Sequence, residues 1–171
     1  MLSSVCELFT DINTAYVPIW RFVEKDSLLA IAQLLKDYGE EFYNEFADRL
    51  VFDALIFNTD RHTGNFGLLV DRNKNKVKAF APVFDNGLSL FNFAMEDDLA
   101  DIENYSKTRK PAIGGSYEDV VKEFMSERQR AMLRKMINFK FTLHSRYNLP
   151  KSRLKTIERF LQSRVRELLE L

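Results

Sequence analysis

Apolar residues recur with helical spacing in the first third of the chain. A first helix is predicted to begin after Asp26 or Ser27, either of which can serve as its N-cap, and to end at Gly39. A second helix is predicted from about Glu40 to Asn58, with a buried stripe formed by Phe42, Phe46, Leu50, Val51, Ala54, Leu55 and Phe57. We interpret the stripe as core and the helix as a rigid support for the loop that follows it.

Two short strands follow that loop. Residues 65–70 and 76–80 have strand-like composition, and the polar run 71–75 between them is typical of a turn, so the pattern predicts a β-hairpin. Nearer the N-terminus, residues 5–9 alternate like a short strand and residues 10–14 indicate a turn.

The C-terminal half is predicted to be mainly helical. Ser116 can cap one helix, Ser126 and Gln129 have the spacing of a capping box at the start of the next, and Pro150 precedes a long final helix. That helix has an apolar side with Leu154, Ile157, Phe160, Leu161, Val165 and Leu168. Its other side is expected to be hydrated, with a docking surface as the alternative, and carries Lys151, Arg153, Lys155, Arg159, Arg164 and Arg166.

The charge balance narrows the classes of partner. The 25 Lys and Arg residues equal the 25 Asp and Glu residues, which disfavours direct binding to nucleic acid or to an anionic membrane. A length of 171 residues and a hydrophobic content of 46% are typical of one globular domain, here residues 1–171. The single cysteine, Cys6, excludes an intrachain disulfide, and neither a signal peptide nor a membrane-spanning run is recognisable, so we expect a cytoplasmic protein.

Three oxygen-bearing side chains surround the predicted hairpin. Asp60 and Asn65 have the Asp-x-x-x-x-Asn spacing of base and metal ligand in kinases, and Asp85 follows the second strand. Because a hairpin returns the chain to its starting point, Asp85 is expected near Asn65, where their oxygens would face one magnesium ion. Gly87 is expected to supply the positive φ that aims Asp85 off the strand. Each motif alone is common in surface loops, whereas the combination favours a phosphoryl-transfer site.

The run NTDRHTGNFG, residues 58–67, followed by APVFDNGLSL, residues 81–90, resembles the catalytic core of the HipA-like serine/threonine kinases, a family that includes bacterial toxin kinases. It is similar at greater distance to lipid kinases of the phosphatidylinositol 3-kinase class. The resemblance implies an α+β, mainly helical fold: a protein-kinase-like C-terminal lobe with a catalytic β-hairpin. It also implies that Asp60 is the catalytic base and that Asn65 and Asp85 are the magnesium ligands.

Two neighbours of Asp60 have open roles. The resemblance implies that His62 orders the catalytic loop or approaches the phosphates, which makes it a candidate catalytic and nucleotide-binding residue; a purely structural hydrogen bond is equally compatible. Arg61 either offsets phosphate charge or forms a salt bridge. The acidic residues 91–103 have no clean period and occupy the place of an activation segment, although a solvated loop is the simpler interpretation.

The N-terminal segment resembles a kinase hinge. Glu7 and Phe9 match the acid-x-Phe pattern of the strand that joins the two lobes and binds adenine, which makes residues 1–20 hinge-like; a plain edge strand explains the pattern almost as well. The Gly-rich loop and the strand Lys with which kinases hold phosphates are not among these residues. We therefore expect the N-terminal ATP lobe to come from a separate polypeptide or from sequence missing here.

The function implied by the resemblance is transfer of phosphate from ATP, with Mg²⁺, to a serine or threonine hydroxyl of a protein substrate. The expected partners are that substrate and a separate nucleotide lobe or an antitoxin-like protein. The missing Lys and Gly-rich loop favour an alternative, a non-catalytic regulatory domain that binds nucleotide or a partner. A third hypothesis is phosphorylation of a small molecule or lipid, although the acidic stretch after Leu90 disfavours anionic lipid.

Overall fold

A three-stranded antiparallel sheet packs on a mainly helical remainder in this computed structural model, which describes residues 7–24 and 27–171. The strands, in their order across the sheet, are β1 (Thr14–Pro18), β2 (Gly67–Asp71) and β3 (Lys76–Phe80). Strands β2 and β3 form the predicted hairpin. The Asp71 carboxylate stabilises its turn by accepting the backbone N–H groups of Asn73 at 2.9 Å and Lys74 at 3.0 Å.

The described residues form seven α-helices and one 3₁₀ helix, Ile19–Arg21. The α-helices are α1 (Leu28–Tyr38), α2 (Glu40–Ile56), α3 (Glu96–Ala100), α4 (Ile102–Lys107), α5 (Tyr117–Phe124), α6 (Glu127–Arg134) and α7 (Lys151–Glu170). Helix α1 ends at Gly39 as predicted, where a φ of 139° favours glycine. Asp26, one of its two N-cap candidates, lies outside the described residues together with Cys6.

Helix α2 connects two hydrophobic clusters. The first joins the sheet to α1, α5 and the N-terminal half of α2, and it includes Ile31, Leu35, Phe46, Leu50, Phe66, Leu68, Phe80 and Phe124. The second joins the C-terminal half of α2 to α5 and α7, and it includes Ala54, Leu55, Phe57, Val121, Phe160, Leu161, Val165 and Leu168. The predicted stripe of α2 is thus core, although Phe42 is only partly buried. Burial at both ends holds the helix in place and fixes the point at which the following loop begins.

The predicted caps of the C-terminal helices are present. The Ser116 hydroxyl accepts the Asp119 N–H at 3.0 Å at the start of α5. Ser126 and Gln129 form the capping box of α6, in which the Gln129 side chain accepts the Ser126 N–H at 2.8 Å. Helix α7 begins directly after Pro150. No helix in the described part of the chain, α7 included, combines the length and the apolar composition needed to cross a membrane.

Three local expectations are wrong. Residues 7–9 are not a strand, and the first strand begins only at Thr14; Val5 and Cys6 lie outside the described residues. The acidic stretch is not a continuous loop, because Glu96, Asp97 and Asp98 form the first turn of α3, where negative charge is favourable. Helix α2 ends at Ile56 instead of continuing to Asn58, because Phe57 adopts a left-handed conformation with a φ of 51°.

The charged side of α7 is not uniformly hydrated. Arg164 is only 5% exposed, and its Nη1 contacts a Glu118 oxygen at 2.6 Å. Its guanidinium also lies 4.6 Å from the centre of the Phe57 ring. Burial of this arginine against α5 and the end of α2 contradicts the expectation from its position in the charged row, because an ion pair and an aromatic ring compensate the lost hydration.

The approach of β1 to β2 gives a test of the fold. A Cβ added at Gly67 would lie 2.7 Å from the Pro18 Cα and would also overlap the Val17 carbonyl oxygen. We expect Gly67→Ala to lower the free energy of unfolding by about 1–3 kcal/mol, since backbone on the opposing strand must move. Urea unfolding measures the change. Gly87→Ala is the control, because a Cβ there meets nothing within 4 Å; equal losses in the two variants would contradict the packing.

Candidate active site

The loop after α2 begins at a buried asparagine. Asn58 is fully buried and donates its backbone N–H to the Asp53 carbonyl at 3.0 Å and its side-chain Nδ2 to the Asp53 carboxylate at 2.9 Å. Its Oδ1 accepts the backbone N–H of Asp60 at 3.1 Å, and its carbonyl accepts the Tyr117 hydroxyl at 2.8 Å. Asp60 therefore starts from a backbone held by both α2 and α5.

Asp60 and Asn65 contact each other across a tight loop. The Asn65 side-chain Nδ2 donates to the Asp60 carbonyl at 2.9 Å, and the Asn65 backbone N–H donates to the His62 carbonyl at 2.8 Å. Because Nδ2 faces Asp60, the amide oxygen of Asn65 is the atom left to coordinate a cation. Asn65 is buried and Asp60 is partly buried.

His62 forms a hydrogen bond within the loop between Asp60 and Asn65. Its Nδ1 accepts the backbone N–H of Gly64 at 3.0 Å, which requires Nδ1 to be unprotonated, and its side chain is exposed. The Gly64 carbonyl in turn accepts the Tyr16 hydroxyl from β1 at 2.8 Å. Approach of His62 to a phosphate stays a prediction.

Arg61 joins α2 to both ends of the hairpin. The side chain is 2% exposed, and it forms a two-pronged ion pair with Asp53 through Nε at 2.8 Å and Nη2 at 3.1 Å. Its Nη1 donates to the carbonyls of Asn65 at 3.0 Å and Phe84 at 2.7 Å, and its Nη2 donates to the Asn86 side-chain oxygen. The two backbone segments that flank the hairpin thus meet at one guanidinium.

This network selects between the two roles expected for Arg61. A guanidinium has five N–H donors, and the five contacts of Arg61 are all made inside the protein. No donor is left for a phosphate, so Arg61 is the loop-stabilising ion pair. The sequence carried one signal for this ion pair: Asp53 is an acid among the apolar residues of the α2 stripe, and a buried acid requires a basic partner.

Asp85 projects between two anchored residues. Its own φ is 56°, a left-handed conformation that Asp adopts more readily than most residues, and its side chain is exposed. The positive φ was expected at Gly87, and this is wrong, since Gly39 and Gly114 are the described glycines with positive φ. Arg61 holds the Phe84 carbonyl and the Asn86 side chain, so the turn at Asp85 is fixed on both sides.

The donors at this site suit a hard cation. Two carboxylates, Asp60 and Asp85, and the amide oxygen of Asn65 are oxygen ligands of the kind that Mg²⁺ prefers. Among the described residues, no group of three or more His, Cys, Asp or Glu side chains is arranged to hold a metal. A cation here would therefore depend on water and phosphate oxygens for its remaining ligands, as is usual for Mg²⁺ in phosphoryl-transfer sites.

An aromatic cluster lies beside Asp85. The rings of Phe9, Tyr16 and Phe84 pack together with centroid separations of 6.1 Å, 5.6 Å and 5.3 Å. Phe9, a predicted hinge residue, therefore contacts the residue directly before Asp85, whereas Glu7 is exposed. The sequence did not predict that Tyr16 and Phe84 belong to this cluster. The position of Phe84 directly before Asp85 was the feature that could have indicated it.

Titration of Tyr16 gives a test of this packing. Burial raises the pKa of the Tyr16 hydroxyl to about 12 from its ordinary value of 10.0. The folded protein thus binds this proton more tightly than the unfolded chain, so its stabilising effect is present below about pH 10 and is lost as the pH rises towards about 12. We expect Tyr16→Phe to make unfolding less pH-dependent between these values, measured by chemical unfolding. An unchanged pH slope would contradict the burial of the hydroxyl.

The Arg61 network makes a larger prediction. We expect Arg61→Met to lower the free energy of unfolding by about 3–5 kcal/mol, because it leaves the Asp53 carboxylate buried without its partner. Urea unfolding of the variant and of Arg134→Met provides the comparison. The Arg134 ion pair with Glu127 is exposed on both sides, so its loss is expected to cost less than about 1 kcal/mol. Similar losses in both variants would contradict the proposed importance of the Arg61 network.

Comparison with known proteins identifies the family and the fold class of this chain. The model of the HipA-like C-terminal domain family matches residues 4–138. This chain is similar to the crystal structure of a Helicobacter pylori proinflammatory kinase, CtkA, with a TM-score of 0.62 and 16% sequence identity. The superposition covers 96% of this chain and 74% of the CtkA chain. A search of curated proteins found no match. At this identity the structural likeness concerns the fold, which is kinase-like, and the match over most of the sequence shows that the chain belongs to the HipA-like C-terminal domain family.

Proposed function

We propose that this domain carries out the chemical step of an ATP-dependent protein kinase that phosphorylates a serine or threonine hydroxyl. The observation that supports it most is the junction at Arg61, where one buried side chain holds the loop of Asp60 and Asn65 against the turn of Asp85. Asp60, Asn65 and Asp85 lie on the two segments that Arg61 joins, which is the arrangement that a phosphoryl-transfer site would need. Membership of a kinase-related family points the same way.

Asp60 is the proposed catalytic base. Its backbone N–H donates to the Asn58 side chain, and its carbonyl accepts from the Asn65 side chain. The backbone of Asp60 is therefore fixed, and its carboxylate can move only by rotation about the side-chain torsions. A carboxylate oxygen of Asp60 would accept or orient the proton of the attacking hydroxyl. Asp60 is only partly buried, so part of its surface stays accessible to a substrate.

Asn65 and Asp85 are the proposed ligands of Mg²⁺. The Asn65 amide oxygen and the exposed Asp85 carboxylate belong to the two segments that Arg61 ties together, which would set the spacing of the two ligands before the ion arrives. A magnesium ion held there, when bound with ATP, would neutralise phosphate charge. The protein's contribution would be mainly positioning, because Arg61 holds together the two segments that carry the proposed ligands.

The aromatic cluster is the proposed neighbour of the adenine. Phe9, Tyr16 and Phe84 offer apolar ring surface next to the Asp85 turn, which suits a flat base. Glu7 and Phe9 would belong to the hinge, and His62 would be close to the phosphates. The partners proposed are a protein substrate and either a separate nucleotide lobe or an antitoxin-like protein; sequence beyond these residues is the other possible source of the nucleotide lobe. We place this activity in the cytoplasm, where ATP is available.

A second candidate is a regulatory domain that binds nucleotide or a partner without transferring phosphate. It is favoured by the absence, among these 171 residues, of the Gly-rich loop and strand Lys that align ATP in kinases. The two candidates differ in one outcome. A regulatory domain would bind Mg-ATP or its partner and still transfer no phosphate when the nucleotide lobe is present.

Carboxylate-to-amide substitutions test the proposed kinase activity. In mixtures of the chain with candidate nucleotide lobes, protein substrates and labelled ATP, we expect Asp60→Asn to slow phosphate transfer by about 10²–10⁴-fold through loss of the base. Asp85→Asn is expected to reduce transfer at limiting Mg²⁺ and to be partly rescued by excess metal. Transfer that is insensitive to both substitutions would contradict the proposal.

A matched variant controls for loss of a carboxylate as such. Glu123 is an exposed residue of α5 outside the site, and Glu123→Gln makes the same chemical change. We expect this variant to transfer phosphate at the wild-type rate. Thermal unfolding of all three variants separates a loss of chemistry from a loss of folded protein.

A further inference from the structure

A cavity of about 680 Å³ lies behind the segment that carries Asp85. Its walls come from α2, from residues 81–83 with Asn86, and from α6 with the turn that follows it. Most of the lining is apolar, with Phe52, Leu55, Val83, Met132, Leu133 and Met136 as its largest members. Both the volume and the apolar walls are typical of sites for small molecules.

The mouth of the cavity exposes large apolar side chains. Phe52 is 40% exposed, Val83 is 45% exposed and Met132 is 41% exposed, and they lie on three different elements that face one concavity. Covering apolar surface gathered in this way with an apolar ligand lowers the free energy of the system. Two of the lining residues are methionines, whose flexible side chains adapt to the shape of a ligand.

One cation in the cavity wall has two side-chain nitrogens without hydrogen-bond acceptors. Arg49 is 4% exposed, its Nη2 donates to the Ala81 carbonyl at 2.6 Å, and its guanidinium lies 4.5 Å from the centre of the Phe80 ring. Its Nε and Nη1 are buried and have no partner in the described part of the chain. Burial lowers the pKa of Arg49 to about 10, so the side chain is still charged at neutral pH. Buried donors without acceptors are costly, and an incoming acceptor would remove that cost.

The acidic residues at the cavity do not cancel this charge directly. Asp48 is occupied by Arg128, at 2.7 Å, and by Gln129, also at 2.7 Å. Glu45 forms no ion pair with any described residue, and burial raises the pKa of its carboxyl group, which disfavours the charged form of that side chain. Arg49 is therefore the group in this wall that an anionic ligand would meet.

We propose that the cavity binds a small apolar molecule that ends in a carboxylate. The carboxylate would lie at Arg49, whose planar guanidinium matches two carboxylate oxygens, after a side-chain rotation that turns its free donors into the cavity. The apolar body would lie between Phe52 and Met132. Selectivity for such a ligand requires both Arg49 and the apolar walls. Arg49 alone would bind any anion, and the apolar walls alone would bind any apolar molecule of suitable size.

Such a ligand would touch the Asp85 turn from behind. Residues 81–83 and Asn86 line the cavity, and the Asn86 side chain also accepts from Arg61. Occupancy would therefore stabilise the turn that carries Asp85. An effect on catalysis rests on the proposed function, whereas binding itself does not, so the experiment measures binding in the absence of ATP.

Decanoate, decanol and decylamine are suitable probes because they share one apolar chain and differ in the charged end. Calorimetry on the whole chain, below the aggregation concentration of each probe, is expected to show saturable binding of one decanoate, at least tenfold tighter than decanol, with decylamine weakest. Methyl NMR of labelled methionines locates the site. Met132 and Met136 are expected to shift, while Met95, which is 72% exposed and does not line the cavity, is expected not to.

Substitutions separate the two halves of the site. Arg49→Met is expected to weaken decanoate about tenfold or more and to leave decanol unchanged, the loss expected for a charged hydrogen bond. Arg134→Met removes an exposed arginine of α6 that does not line the cavity, and it is the matched control. If Arg49→Met does not fold, Glu45→Gln is expected to tighten decanoate, and Met132→Trp is expected to abolish binding by filling the mouth.

Four results would overturn the proposal. Three of them concern affinity: no saturable binding of decanoate to folded protein, equal affinity for decanoate and decanol, or binding that persists undiminished in Met132→Trp. Shifts at Met95 comparable to those at Met132 would show detergent-like association and would overturn it as well. Absence of kinase activity would leave these binding measurements unaffected.

Discussion

The buried ion pair between Arg61 and Asp53 is the interaction on which the candidate site depends. Removing two charges from water is costly, and an isolated pair of this kind would add little stability. Here each N–H of the guanidinium has an acceptor, and the acceptors belong to α2, to the loop at Asn65 and to the turn around Asp85. The desolvation cost is offset by hydrogen bonds that also determine where those three segments lie relative to one another.

Helix α2 supplies the fixed end of this arrangement. Its two halves belong to different hydrophobic clusters, so rotation or sliding of the helix would disturb packing against the sheet and against α7 together. The left-handed Phe57 ends the helix abruptly, and its ring is held by Phe91, Tyr117 and Phe160. The loop of Asp60 therefore begins at a helix end that packing holds in place. A catalytic base requires such a fixed support.

Much of the fold follows from local patterns in the sequence. Helical periodicity predicted α1, α2 and α7, and alternation with a polar turn predicted the β2–β3 hairpin. The spacing of Asp60, Asn65 and Asp85 identified the segments that the structure brings together, and their chemical roles stay a proposal. These features were accessible because each depends on neighbouring residues, through repeat, cap and turn chemistry.

Other features depend on contacts between distant residues and had no local signal. Arg164 belongs to the charged row of α7 but is buried, because it forms an ion pair with Glu118 and packs on the ring of Phe57. The left-handed conformation falls on Asp85 instead of Gly87, because Arg61 fixes both of its neighbours. The short helix α3 was missed because five residues are too few for a hydrophobic period to be visible.

Paramagnetic NMR with Mn²⁺ in place of Mg²⁺ tests most directly whether Asp60, Asn65 and Asp85 surround one ion. With Mn²⁺ and ATP added, the account predicts strong broadening of the Asn65 side-chain amide and of the Asp60 and Asp85 backbone amides, with little effect on the hairpin turn at Asn73. Broadening that is strongest elsewhere, or that leaves Asn65 and Asp85 unaffected at saturating metal, would contradict it.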